Sequence, residues 1–406
     1  PDKLGVRVIM FAFFQTLRKA TRRAILPVAA LALAACDPAA LGGLTAGNSS
    51  GPRIDATKPV PVALLVPRGS GQGSDDLLAQ NLENAARLAM RDLGDVQIDL
   101  RVYGTAGNAQ TAASQAALAV NDGAQIILGP LYAEAANAAG VAVAASNVNV
   151  LAFSNNTTIA CGNVFVLGST FDNTANRLVS HAKAQGKDNI VVVHAQDVAG
   201  QIGRNAIQRA ISGNGATLAG TVDYPLSQQG LIAAVPRVKS LVDSTGANGV
   251  FLTAAPAAGL PLLTQLLPEA GVSPATTQYI GLTRWDIPPQ TLELPGVQGG
   301  WFTLPDPNRA AAFRAQYQAA YGGAPHPLAG LAFDGIAAIG ALVSRGNANA
   351  LSGAALTQGS GFQGATGIFR LRPDGTNERG LAVATVQNNQ VVIVSPAPRG
   401  FGGAGS

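Results

Sequence analysis

The sequence predicts an α/β protein with two lobes of parallel sheet flanked by helices, and three observations predict it. The first is the unit at residues 123–158, where apolar runs at 126–128 and 148–153 have the length of buried strands. The Ala-rich segment 133–145 between them has the length and propensity of a helix. A connection that long is a crossover rather than a hairpin, so the strands run parallel beneath helices on both faces. The second is that the same alternation resumes after Thr170 and continues to Gly281, which means a second parallel sheet. The third is size and composition. A chain of 406 residues exceeds what one core serves, and few aromatics with abundant Ala and Gly suit closely packed layers.

In order, residues 60–66 form the opening strand, which ends in Pro67-Arg68-Gly69-Ser70-Gly71-Gln72-Gly73-Ser74. A helix at 76–93 follows, with Leu78, Leu82, Ala85, Ala86 and Ala89 in one stripe. Glycines after a strand invite a dinucleotide or phosphate reading. No acid closes the second strand, 98–103, and no Gly-Lys-Ser/Thr follows, so a ligand-facing loop without phosphate is expected at Ser70 and Gly71. Helix 109–122 stops at Gly123. In the central unit the first strand gives way to Gly129-Pro130-Leu131-Tyr132 and the second to Ser154-Asn155-Asn156-Thr157-Thr158. Both loops lie beyond strand carboxyl ends, where open α/β sheets bind ligands.

After a short strand at 164–167, helices are expected at 173–185, 201–212, 231–244 and 259–270, alternating with strands at 189–194, 218–224, 250–253 and 278–281. Residues 299–304 lead back through helices 309–321 and 328–343 to the lobe already built. The tail changes register: strands at 367–371, 381–386 and 391–394 are linked by Pro373-Asp374-Gly375 and Asn388-Asn389 turns.

The amino-terminal segment has the layout of a bacterial secretory signal: the charged Arg18-Lys19-Ala20-Thr21-Arg22-Arg23, an apolar stretch at 24–35, then Cys36. Leu33-Ala34-Ala35-Cys36 resembles the lipobox of bacterial lipoproteins, which implies diacylation of Cys36 and cleavage before it. Two or more acyl chains hold a protein stably at a membrane surface. A lipid-anchored periplasmic location follows, with the outer membrane preferred although Asp37 is an inner-membrane retention residue in enteric bacteria. Residues 37–58, rich in Gly, Ala, Pro, Asn and Ser, read as a flexible tether. Cys161, the other cysteine, is expected to be a buried inert thiol.

Charge excludes one class of partner. Residues 1–35 carry a net +5 against a formal +4 for the chain, so the remainder is about −1 and has no electrostatic footprint for nucleic acid. Hydrolase chemistry needs a nucleophile, a base and an orienter, and the imidazoles are limited to His181 inside a helix, His194 closing a strand, and His326, so no catalytic residues are assigned. His194 with Asp197 reads as polar cleft wall. There is no His-Glu-x-x-His, Cys pair or carboxylate cluster for a metal, and no cofactor is expected. Trp285, Trp301, Tyr132 and Tyr279 are candidates for a cleft or partner surface, Trp301 more for the core.

Taken in this order, residues 59–395 resemble the type I periplasmic binding protein fold, in its branched-chain amino-acid receptor branch. The matching text is Asn84-Ala85-Ala86-Arg87-Leu88-Ala89, Gly129-Pro130, Phe153-Ser154, Gly200 after a strand, and Phe362-Gln363-Gly364-Ala365-Thr366-Gly367 before Pro373-Asp374-Gly375. The resemblance implies two lobes joined by three hinge crossovers around a cleft. It also implies where an amino-acid ligand is held. The small hydroxyl residue after Gly-Pro is here Ala133, and the loop after the fourth strand is Ser154, Asn155, Asn156, Thr157 and Thr158. The aromatic before Gly200 is Ala199, and the acid after Gly281 is Thr283 or Arg284. Desolvating a zwitterion without paired charges costs several kcal/mol. A standard free amino acid is therefore not the expected ligand unless Arg284 and Asp286 serve instead.

Losing that constellation while gaining an anchor is similar to the lipoprotein activators of penicillin-binding proteins, whose carboxy-terminal domain has this fold and which carry a long helical-repeat domain where residues 37–58 stand here. The resemblance implies a periplasmic lipoprotein, not an enzyme, that regulates peptidoglycan synthesis by binding a synthase. The alternative is the substrate-binding lipoprotein of an ABC transporter for amino acids or related small polar metabolites. The expected division is a signal peptide at 1–35, a lipidated tether at 36–58, lobe 1 at 59–168, lobe 2 at 169–298, a return to lobe 1 at 299–350, C-terminal strands of lobe 2 at 351–395, and a flexible tail at 396–406.

Overall fold

The computed structural model of the chain describes residues 50–401, so the expected signal peptide, Cys36 and most of the tether lie outside the described residues. Lobe 1 is built on β1 (Val60–Val66), β2 (Ile98–Gly104), β3 (Ile126–Leu128), β4 (Asn149–Ala152) and β5 (Val164–Val166). All five are parallel, in the order β2-β1-β3-β4-β5. Helices α1 (Gly73–Met90), α2 (Ala109–Asn121) and α3 (Ala133–Val143) make the crossovers. Successive side chains of β1 go to opposite faces: Val62, Leu64 and Val66 meet Leu78, Leu82 and Ala85 of α1, while Ala63 and Leu65 meet Ala116 and Ala119 of α2 and Ala136 and Ala139 of α3. Burial on both faces is why these strands read as continuous apolar runs.

Lobe 2 repeats the plan. Its strands β6 (Asn189–Ala195), β7 (Thr217–Tyr224), β8 (Gly249–Leu252), β9 (Gln278–Gly281) and β10 (Trp301–Leu304) are connected with α4 (Phe171–Ala184), α5 (Val198–Gly213), α6 (Gln228–Thr245) and α7 (Leu260–Glu269). Helix starts are set by side chains: Thr170 accepts from the Asn173 N–H, Asp197 from Gly200 and Ser227 from Gly230. The hairpin β14 (Ala382–Gln387) and β15 (Gln390–Ser395) adds antiparallel to β10, giving the order β15-β14-β10-β9-β8-β6-β7. Its parallel part has the same strand order as lobe 1.

Helices α8 (Pro307–Tyr321), α9 (Gly330–Val343) and α10 (Gly353–Leu356) return to lobe 1, where Phe313, Tyr317, Ile336, Ile339 and Leu356 join the core of β1 and α1. The chain then forms a separate antiparallel sheet, β11 (Phe362–Gly364), β12 (Gly367–Leu371) and β13 (Asn377–Arg379). It thus passes between the lobes three times, at residues 167–170, 305–306 and 380–381.

Several expectations are corrected. Residues 299–304 belong to lobe 2 rather than to the return, because β10 pairs with β9 and β14. Of the strands expected in lobe 2 at 351–395, the segment through β13 packs on lobe 1, since Phe362, Ala365, Phe369 and Leu371 bury their side chains in that core. Within the expected tether, Ile54 is buried in the lobe 1 core and its N–H bonds to the Ala348 carbonyl. The tail is held as far as described: Arg177 bonds the Pro396 carbonyl, and the Arg370 guanidinium lies over the Phe401 ring. Cys161 is half-buried rather than buried. Trp285 and Tyr279 are fully buried core residues, not cleft or partner contacts. Trp285 stacks on Phe302, and the Tyr279 hydroxyl donates to the Val272 carbonyl at 2.6 Å.

Candidate functional site

A cavity of about 470 Å³ lies between the lobes, and every crossing contributes to its floor: Gly168 and Ser169, then Leu304 and Pro305, then Arg379 and Leu381. The crossings are tied together by side chains. The Asn377 amide donates to the Val166 and Gly168 carbonyls, both at 2.8 Å, and Arg379 donates to the Leu167 carbonyl through Nε at 3.0 Å. Arg379 also reaches Asp334 on α9, Nη1 to Oδ2 at 2.8 Å. Burial pushes the Asp334 carboxyl up, opposed by the adjacent guanidinium and by the Ala365 N–H, which donates to it.

The lobe 1 wall comes from the two loops at strand carboxyl ends. Gly129 has φ +83°, and a Cβ there would lie 2.2 Å from the Leu65 carbonyl oxygen, so only glycine makes this turn out of β3. The turn presents Leu131, Tyr132 and Ala133 to the cavity. Tyr132 is 40% exposed, and its hydroxyl donates to Asp75 Oδ1 of α1 at 2.7 Å. That bond and partial burial push its phenol up. The second loop supplies Phe153, Ser154, Asn155 and Asn156. The Ser154 Oγ accepts the Asn156 N–H, and Asn156 Oδ1 accepts both the N–H and the hydroxyl of Thr158. This Asx turn winds Thr157 and Thr158 into a 3₁₀ turn that does not line the cavity.

On the lobe 2 side, Thr174, Arg284 and Thr303 line the cavity, with Thr303 Oγ1 donating to Thr174 Oγ1 at 3.2 Å. Arg284 forks onto Asp286, Nε to Oδ1 at 2.9 Å with a second bond from Nη2 to Oδ2. Pro327, Leu328, Gly330 and Leu331 close one side. Their loop is fixed by Asn81 of α1, whose Oδ1 accepts from the Tyr317 hydroxyl and the His326 N–H.

The structure therefore brings Tyr132, Ala133, Ser154, Asn155, Asn156 and Arg284 to one cavity. Ser70, Gly71, Ala199, Gly200 and Thr283 are not in its lining. Ser70 Oγ accepts the Gln72 N–H in its own turn, Gly200 gives its N–H to the Asp197 cap, and the Thr283 hydroxyl donates to the Ala254 carbonyl. His194 is buried, with Nδ1 2.9 Å from the Ala195 carbonyl oxygen, and is not cleft wall. Ser169, Thr174, Thr303, Thr366 and Arg379 escaped sequence reasoning. The signal that marks them is their place beside the points where the chain changes lobe, which required knowing which strands join which sheet. Among the described residues no group of three His, Cys, Asp or Glu is placed to hold a metal.

The profile of one family, described as periplasmic binding protein, matches residues 59–390. No curated protein sequence matches the chain. Among solved structures, the chain is similar to a branched-chain amino acid ABC transporter protein of Rhodospirillum rubrum, with 17% identity, 83% of this chain and 100% of the other covered, and a TM-score of 0.69. It is similar to an ABC transporter substrate-binding protein of Desulfitobacterium hafniense in complex with Leu, with 16% identity over 83% and 100% and a TM-score of 0.59. It is also similar to an ABC transporter solute-binding protein of Rhodopseudomonas palustris in complex with 3,4-dihydroxybenzoic acid, with 17% identity over 84% and 98% and a TM-score of 0.54. At such identities the likeness carries the fold.

Proposed function

Because this chain belongs to the periplasmic binding protein family, we propose that it is a substrate-binding protein of an ABC transporter, taking a small molecule into the interlobe cleft and delivering it to a membrane permease. Family membership implies a periplasmic location. The observation that carries the reading is the cavity of about 470 Å³ whose floor is made by all three lobe crossings. A ligand there touches both lobes and the backbone that joins them, so binding is coupled to their relative angle. The relatives from Desulfitobacterium and Rhodopseudomonas hold leucine and a dihydroxybenzoic acid, which supports a small organic ligand.

The candidate contacts are Tyr132, Ala133, Ser154, Asn155, Asn156 and Arg284 with Thr174, Thr303 and Thr366. Isothermal titration of the purified chain with small metabolites, paired with small-angle scattering, tests this. Saturable binding with a decrease in radius of gyration is expected, and binding without compaction counts against delivery by closure.

The second reading, a lipoprotein that activates a peptidoglycan synthase from an anchor at Cys36, is favoured by one observation. Ala133 and Ala199 stand where a receptor's hydroxyl and aromatic are expected, and Arg284 is engaged by Asp286. Affinity capture from detergent-solubilised envelopes separates the two: a penicillin-binding protein retained in stoichiometric amounts supports activation, and a permease supports transport.

A further inference from the structure

We infer that the cleft selects an uncharged ligand with an apolar body and a hydrogen-bonding head, and rejects both the zwitterion and the simple carboxylate of the same shape. The inference rests on the reading of the cleft as a small-molecule site, and it names the class of molecule. Only Arg284 and Arg379 carry charge among the residues that line the cavity. Arg379 is withdrawn from water and is spent on Asp334 and the Leu167 carbonyl. Arg284 is spent on Asp286 through a two-bonded fork, a pair that presents a dipole and no net charge.

The carboxylates nearest the cleft lie outside its lining and have partners of their own, two of them arginines and one, for Asp75, a neutral hydroxyl. Asp334 accepts from Arg379 and the Ala365 N–H, Asp286 from Arg284, and Asp75 from the Tyr132 hydroxyl. A ligand ammonium would enter an apolar-walled site with no carboxylate in its lining to receive it, and a ligand carboxylate could reach Arg284 only through the N–H groups the fork leaves over, with the Asp286 carboxylate already beside the same guanidinium. An ammonium is desolvated without an ionic partner, and a carboxylate gains no net opposite charge because Asp286 already balances Arg284. What the site offers is neutral: hydroxyls of Ser169, Thr174, Thr303 and Thr366 near the floor, and walls from Leu131, Phe153, Leu304, Pro327 and Leu331. Hydroxyls satisfy an amide or alcohol head, and the walls accept its hydrocarbon.

The test uses two isosteric sets of probes on the full mature chain. One set is leucine, 4-methylpentanoate and 4-methylpentanamide, and the other is phenylalanine, 3-phenylpropanoate and 3-phenylpropanamide, each titrated calorimetrically. In whichever set binds, the amide is expected to bind more tightly than both charged members by about tenfold or more, the loss expected for an unpaired buried charge. The Asp286→Asn variant, which releases Arg284 without touching the lining, is expected to shift preference toward the carboxylate by about tenfold. Tighter binding of an amino acid or a carboxylate in either set overturns the inference and leaves the cleft as a ligand site. An unchanged preference in the variant overturns the role given to the Arg284 and Asp286 pair. If no probe of either set binds, the ligand found by metabolite titration decides: a charged one overturns the inference and keeps the cleft reading, and no ligand at all takes both.

Discussion

Arg379, the last residue of β13, places its Nη1 2.8 Å from Oδ2 of Asp334 on α9, and the two side chains are 6% and 1% exposed. The pair joins the third lobe crossing to the helix that backs lobe 1. Breaking a buried pair leaves a charge without a partner, so Asp334→Asn or Arg379→Met is expected to cost about 3–5 kcal/mol in urea unfolding. The double variant Asp334→Leu with Arg379→Met is expected to recover a large part of that loss. Equal losses in the single and double variants would mean that packing, not charge, is what the pair contributes.

Tyr132 separates stability from recognition. Its hydroxyl is the partner of a buried carboxylate, Asp75, while its ring is part of the cavity wall. Tyr132→Phe is expected to lower stability by about 1–3 kcal/mol through the orphaned carboxylate. In the background Asp75→Ala, where that carboxylate is gone, Tyr132→Phe is expected to be nearly neutral. Thermal melts of the four proteins in this cycle give the coupling directly.

A steric prediction concerns Trp285. A Cβ on Gly300 would lie 2.1 Å from its Cζ3, inside a core where the indole is fully buried against Phe302. Gly300→Ala is expected to destabilise by about 1–3 kcal/mol and to shift the tryptophan emission as the ring is displaced. A variant with wild-type melting and emission would show that β9 and β10 yield at no cost.

The pH dependence has two limbs. Burial, and secondarily the Arg177 guanidinium, hold the His181 imidazole below its ordinary 6.5. Below 6.5 the unfolded chain takes up the proton first, so this stability is complete above 6.5 and is lost as pH falls through the window down to the folded value. His181→Phe is expected to flatten the fall of the urea midpoint as pH drops below the ordinary 6.5, in part only because His326 shifts the same way. In acid, hydrogen bonds from Arg237 and Gln196 bring Asp223 down to about 2. Its contribution is present above the ordinary carboxylate value and disappears as pH falls toward 2, and Asp223→Asn is expected to remove a small, salt-sensitive part of the acid limb.

Both parallel sheets were legible in the sequence because a strand buried on two faces leaves an uninterrupted apolar run, and the Ala-rich stretch before β4 leaves no doubt about a helix. The assignment of late strands to lobes was not legible. Phe369 and Leu371 alternate in the same way whichever core they enter, and what sends them to lobe 1 is the Ala365 N–H bonding Asp334, a contact between distant parts of the chain. The site divides along the same line. Loops following β3 and β4 were readable from where strands stop. Thr157 and Thr158 were misplaced in the cavity because the Asn156 turn redirects them, and Thr303 was missed because it lies inside a strand.

The order in which the chain is made gives the Asn377 and Arg379 anchors a further meaning. The Leu167 carbonyl is exposed early in synthesis, and the guanidinium that satisfies it arrives 212 residues later. Until then the joint between the lobes has neither its clamp nor its last strand, and a partly emerged polypeptide has nothing with which to set the lobe angle. Loss of the segment from Asn377 onward should therefore remove the clamp on the common cavity together with the strand that covers β10.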